Sequence, residues 1–402
     1  MEIKEATKYS NPIGELSEFS INKLNTLGIP NRKNEKWKYT ELANFFPEMD
    51  LTQQKSKKVE YKLTENFKNI VFHNGELIHS DNDLSIEKLS ENNQKEIELI
   101  KEKNTSLLSD EWVMHLIEAH GLNQYLLKLS GENKIHIQNI YTDEFATHNS
   151  SHLHIQGVKN SSSHILESHT VINIDTTKSF VNTAKSIYME QNASLDMTYL
   201  QNLNSNSSII NNTRAKLERD AHFKNITIDL GAGFSRNNLA STLEGENAEI
   251  TLSGVYNLNN NQHHDTSSFI SHNAPHSYSH QLYKGVMKDK SHGIFTGLIK
   301  VEKDAQLIES DQLNKNLVLH KGAHAHSRPQ LEIFADDVKC AHGSTTGQMS
   351  EDELFYFNSR GIPSDKARKI LASAFSNDVL LKIKDQDIFN ICKKTLNAKE
   401  GH

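Results

Sequence analysis

Hydrophobic positions change their period twice along the chain, and the changes divide it into three stretches. Leu16, Phe19, Ile21, Leu24 and Leu27 recur at helical spacing before Gly28 and Pro30 supply a stop. A second short helix is predicted around Trp37 to Phe46, closed by Pro47. From Lys55 to about Lys103 the chain is rich in Lys, Glu and Asn with short apolar runs such as Ile70-Val71-Phe72, which predicts mixed structure with mobile loops.

Near residue 133 the spacing becomes alternating, most plainly in Ala248, Ile250, Leu252, Gly254, Tyr256 and Leu258. Period two places these residues on one buried face of a strand. The pattern returns in Ile135-Ile137, Ala193-Leu195-Met197-Tyr199, Ile226-Ile228-Leu230 and Leu331-Ile333-Ala335. Asn-, Ser-, Gly- and Asp-rich turns such as NLNSNSS and NLNNNQHHD separate the strands, and no interval long enough for a crossover helix does. That excludes a doubly wound sheet and leaves a coiled β-solenoid or a large sandwich; the unbroken recurrence favours the solenoid, although the repeat has no fixed period.

At Ser350 helical spacing resumes. Ser350 and Glu353 make a capping-box pattern for a helix through Phe357, ended near Gly361 and Pro363. Ser364 then caps a second helix with an apolar stripe of Ala367, Ile370, Leu371, Ala374 and Phe375, and a third carries Ile388, Ile391, Cys392 and Leu396. The expected organisation is a helical or mixed region over residues 1–132, a β core over 133–349 and a small helical domain over 350–402.

Charge narrows the partners. With 44 Lys+Arg against 51 Asp+Glu the net charge is -7, and neither sign gathers into a long block, so nucleic acid and anionic membrane are not expected partners. The first twenty residues lack the apolar core of a secretory signal and no run of about eighteen apolar residues occurs, so a soluble, cytoplasmic protein is expected. Two cysteines, Cys340 and Cys392, cannot form a disulfide framework.

Histidine is the densest chemical signal, 22 in all, with His263, His264, His320, His324, His326 and His342 in the last third of the β region. Imidazole binds borderline metals, yet no spacing matches a zinc motif, and a solvent-facing or structural role is the simpler reading for any one of them. Within VKCAHG, a continuing strand puts Val338, Cys340 and His342 on one face. Such a pair can hold iron, sulfide or zinc, or else Cys340 is a small buried hydrophobe beside a satisfied histidine. GAGFSR at 231–236 lacks the third glycine of a dinucleotide loop and is read as a turn; Cys392 falls on an apolar helix stripe and is read as core. No G-x-x-x-x-G-K-[ST] loop occurs, so ATP hydrolysis and nucleotide binding are not expected of this chain.

Several long words in one order carry a resemblance: HHDTSSFISHNAPHSYSHQLYKGVM, GIFTGLIKVEKDAQ, LEIFADDVKCAHGSTTGQ and DELFYFNSRGIP, with NEKWKYTEL near the amino terminus. On these words the chain resembles the SufB/SufD family of iron–sulfur cluster assembly scaffolds. ADDVKCAHG followed by FYFNSRGI resembles the SufD branch. In KGAHAHSRP the chain has only Ala and His around position 323, where SufB carries a cysteine.

The resemblance implies a right-handed parallel β-helix flanked by amino- and carboxy-terminal helical domains, and no enzymatic activity of its own. It implies a SufB-like partner at the end of the β-helix, a SufC-like ATPase on the carboxy-terminal helices, and self-pairing when the chain is alone. It also implies that Cys340 and His342 lie by the SufB interface as ligands of a nascent, transient iron–sulfur cluster or iron shared with SufB. Two rivals stand beside it: a β-helical enzyme acting on acidic polysaccharide, and a purely structural partner of SufB that binds no metal.

Overall fold

The computed structural model describes residues 15–45, 59–88, 112–120, 123–142, 148–172, 178–348 and 351–400. The predicted closure at Pro47 and the predicted Ser350 cap lie outside the described residues. Helix α1 (Glu15–Leu27) stops at Gly28, whose φ of +66° brings its N–H to the Leu24 carbonyl at 3.1 Å. Around Trp37 the expected helix is instead two single 3-10 turns, Glu35–Trp37 and Leu42–Asn44. The Asn34 side chain accepts from the Lys36 N–H and closes the first turn, and extended Glu41 separates it from the second.

Alternation wins from residue 68 onward. After β1 (Lys68–His73), β2 (Glu76–Ser80), β3 (Ser85–Lys88), α2 (Trp112–His120) and β4 (Gln124–Leu129), the chain winds alternately between two sheets. One sheet takes β5 (Glu132–Thr142), β7 (Ser162–Ile172), β9 (Ser194–Asn202), β11 (His222–Asp229), β13 (Glu249–Leu258), β15 (Tyr278–Met287), β17 (Ile308–Val318) and β19 (Val338–Gln348). The other takes β6 (His148–Gly157), β8 (Ser179–Met189), β10 (Ser207–Leu217), β12 (Phe234–Leu243), β14 (His263–His272), β16 (His292–Val301) and β18 (His324–Ile333). From β5 and β6 onward neighbours in each sheet are parallel, while β2 pairs antiparallel with β1 and β3 with β4, and the result is a parallel β-solenoid of about 7 turns. Strands β1 and β4, upstream of residue 133, already pair in parallel with β5 and β6, so the Ile70-Val71-Phe72 run belongs to the first coil.

Partners along the first sheet lie from 27 residues apart (Asn225 to Leu252) to 32 apart (Ile165 to Met197), which is why no fixed period shows in the sequence. One corner is nevertheless regular. Asn160, Asn192, Asp220, Asn247, His276 and Leu307 all have φ between 50° and 63° just before a strand of that sheet. Asn and Asp tolerate this left-handed geometry, and here they also stack: Asn192 Nδ2 donates to Asn160 Oδ1 at 2.8 Å.

The interior apolar cluster includes Ile135, Ile165, Met197, Leu217, Leu243, Ile250 and Leu252. The expectation of one buried face is too simple for the middle coils, because both outer faces are covered. Leu24, Trp37, Leu42 and α2 pack on Phe180, Ile210 and Phe234 of one sheet. Helices α4 (Ser364–Leu380) and α5 (Gln386–Glu400), which follow α3 (Glu351–Ser359), pack on Leu166, Leu200, Ile226, Ile228 and Val255 of the other. In β11, therefore, the alternating Ile226 and Ile228 face the helices, while Asn225, Thr227 and Asp229 point into the solenoid.

Two helix details differ from expectation. Ser364 is the first residue of α4 rather than its cap; Pro363 precedes the helix and the Ser364 hydroxyl pairs with Asn358. The buried face of α4 is Ala367, Ala372, Ser376, Val379 and Leu380, whereas Ile370 of the expected stripe is exposed. Small residues on that face let the helix lie close to the sheet. Asp385, missed in the sequence, accepts from the N–H groups of Asp387 and Ile388 at 3.0 Å and starts α5.

Candidate functional site

Strand β19 is the last strand of its sheet and β18 the last of the other, so the solenoid ends on two edges with unpaired backbone groups among the described residues. The predicted strand through VKCAHG persists over Val338–Gln348. Its register places Cys340 on Ser310 and His342 on Gln312 of β17, and Ser310 and Gln312 are buried positions in the columns of Ile250 and Leu252. Cys340 and His342 thus continue two inward-facing columns at the point where no further coil covers them. His342 is exposed and Cys340 half-buried against Ile299, Val301 and Ile308.

Burial raises the Cys340 thiol above its ordinary pKa, so it is protonated at neutral pH until its surroundings open. It also borders an open groove of about 470 Å³ with Tyr278, His280, Glu309, Asp311 and Lys339. Among the described residues no group of three His, Cys, Asp or Glu side chains is arranged to hold a metal ion. A thiol and an imidazole are donors suited to iron, but two of them need a partner's ligands to complete a site.

The remaining histidines have other employment. His264 is buried inside, hydrogen-bonded to Ser235 at 2.7 Å and Thr266 at 2.8 Å, and burial pushes it down to about 3. His263 meets Thr40, His320 pairs with Asp289, His324 stacks on His292 at 5.0 Å, and His326 stacks on Tyr39 at 4.6 Å. Ala323 sits buried at the corner before β18. Cys392 is core, with its thiol pushed up to about 12. The GAGFSR stretch is a turn, with Ala232 at φ +61° and Gly231 pressed against the backbone of Leu203.

Arg236 in that stretch is the residue the sequence concealed. It is buried in an ion pair with Asp265, its guanidinium lies 3.9 Å from the Trp37 ring centroid, and it donates to the Lys36 carbonyl at 2.9 Å. Thr40 donates to Asp265 at 2.6 Å. Farther along the same strap, Glu35 pairs with Arg328 on β18. NEKWKYTEL is therefore a strap laid across the outer face from β12 to the terminal coil. Only the pairing of Trp with a buried Arg, far apart in sequence, could have signalled it.

A coiled parallel sheet of about 7 turns with helices on both outer faces, and Cys340 and His342 on its terminal strand, defines a parallel β-solenoid protein. The chain belongs to the SufBD family: residues 139–375 match the model of the SUF system FeS cluster assembly, SufBD core domain. It is similar to the iron–sulfur cluster assembly protein SufD of Escherichia coli, 26% identical over 378 residues, which cover 90% of this chain and 87% of that protein. An iron–sulfur cluster assembly SufBD family protein of Synechocystis is 35% identical over 204 residues, 51% of this chain and 45% of that one. A chloroplastic protein of Arabidopsis thaliana, ABCI7, is 31% identical over 210 residues, 52% of this chain and 44% of its own length. The chain thus aligns with somewhat under half the length of the last two. No helix among the described residues is long and apolar enough to cross a membrane.

Proposed function

We propose that this chain is a non-enzymatic cytoplasmic scaffold that pairs through its open β-edge with a SufB-like subunit and supports iron–sulfur cluster assembly there. The observation that carries this is the placement of Cys340 and His342 on inward columns that end, uncovered, at an unpaired strand. The nascent cluster is cargo: His342 offers nitrogen to iron, the partner supplies thiolate, and Cys340 joins once it is exposed and deprotonated. The carboxy-terminal helices dock a SufC-like ATPase. Phe355 and Tyr356 on α3, 73% and 57% exposed, and Leu381, 67% exposed, support that role as an uncovered apolar surface. ATP-driven movement of those helices favours an open state of the edge, a shift between two conformations rather than chemistry by this chain.

Co-expression with the SufB-like and SufC-like subunits, followed by native mass measurement, tests the assembly; purification of the chain without either partner would undo the reading. Anaerobic iron and sulfide loading of the complex then tests the ligands. Cluster absorbance is expected to fall severalfold in His342→Ala and less in Cys340→Ser. The raised Cys340 pKa favours a second reading, in which the chain only stabilises its partner and binds no metal. Unchanged spectra in both variants would establish that reading.

A further inference from the structure

We infer that Gln312 is a positioning residue of the His342 site, fixing the imidazole from the coil beneath it; this rests on the reading of His342 just given. The inward column that ends in His342 runs back through Gln312 and Gln281 to Leu252 and Asn225, so the last two buried places before it opens are both amides. Gln281 has an unpartnered Nε2 but is held at its Oε1, which accepts from Ser268 at 2.8 Å. Gln312 is not. It is 1% exposed, and neither its Nε2 nor its Oε1 has a hydrogen-bond partner.

Native interiors rarely leave both ends of a buried amide unused, and an apolar side chain would fill the same position without that cost. The fold moreover reserves space for this amide: a Cβ on Gly297, across the interior on β16, would fall 2.2 Å from Gln312 Nε2. Gln281, one coil back, can use only the free acceptor; the neighbour that can use the free donor is the next residue of the column, His342. Its ring needs one nitrogen fixed as donor or acceptor so that the other is presented to a ligand, and an amide can serve either need.

The test is nitrogen-15 NMR of histidine-labelled protein, without partner or iron. His342 is expected to show one dominant tautomer in the wild type and a mixture in Gln312→Met, which keeps the shape and removes both polar ends. Gln312→Glu, which returns a hydrogen-bonding end at the same reach, is expected to restore a single tautomer. Melting temperature separates a site residue from a structural one: Gln312→Met is expected to melt at or above the wild type. His342 signals unchanged in both variants, or a lower melting temperature with unchanged signals, would overturn the inference. Because this readout needs no cluster, it decides Gln312 even if His342→Ala assembles clusters normally, a result that would count against the proposed function alone.

Discussion

Asp229 and the buried histidines give the interior opposite responses to pH. Asp229 is buried inside the solenoid, with Oδ2 accepting from Asn237 at 2.7 Å and Oδ1 unpartnered, and burial raises it to about 7. A carboxyl raised above its unfolded value costs nothing below about pH 4, and the penalty grows as pH rises through about 7, towards about 4 kcal/mol. Asp229→Asn is therefore expected to stabilise the protein by several kcal/mol at pH 8 and hardly at all at pH 4, as denaturant titrations at the two pH values would show. His136, His264 and His272 act the other way. Burial lowers them to about 4, 3 and 4, so their contribution is complete above about pH 6.5 and is lost as pH falls through the folded values. A steep loss of stability between about pH 6 and 4 is expected, and Gln in place of His272 should flatten it. Neither group was legible in the sequence. Alternation marks Ile226 and Ile228 as the buried face of β11 and so assigns Asp229 to solvent, whereas helices packed on that face turn the assignment over. Cys340 and His342 were legible as a pair because the strand through them persists, although their place on the last rung was not.

Corners, helices and the strap are where sequence and structure part company at the next scale. Strands were legible because period two needs only local burial; coil length was not, since spacing varies between coils while the corner geometry stays constant. That constant corner makes Leu307 an anomaly. Its φ is +60° where four earlier coils place Asn or Asp and the preceding one places His276, and it is 46% exposed. Leu307→Asn is expected to stabilise by about 1 kcal/mol, readable as a higher urea midpoint at unchanged slope. The α4 stripe is legible only in part: Ala367 of the predicted stripe is buried, but close approach to β13 and β15 selects Ala372 and Ser376 beside it rather than Ile370. Ile370 is left outside, 36% exposed. Replacing Phe355 and Tyr356 with Ser is expected to weaken binding of the SufC-like ATPase at least tenfold in titration calorimetry while leaving the melting temperature within a degree or two.

At the scale of the molecule, among the described residues, the helices close both flanks of the solenoid and leave one end unsealed. Leu24, Trp37 and α2 protect one sheet, α4 and α5 the other, and the strap reaches the last coil through Tyr39 and Glu35. Ile333 and Phe334 remain exposed beside the end, 39% and 57%. A long edge strand of 11 residues, paired on one side only, is an aggregation hazard unless another strand covers it, and the proposed pairing supplies that cover. Family membership names the process, iron–sulfur cluster assembly, and the proposed function assigns it to the open edge. Amide hydrogen exchange along Val338–Gln348, in the isolated chain and in its complex with the SufB-like subunit, tests the central claim most directly. Pairing at the edge predicts at least a hundredfold slowing of the outward-facing β19 amides in the complex; exchange at the same rate in both would place the partner elsewhere and contradict the account.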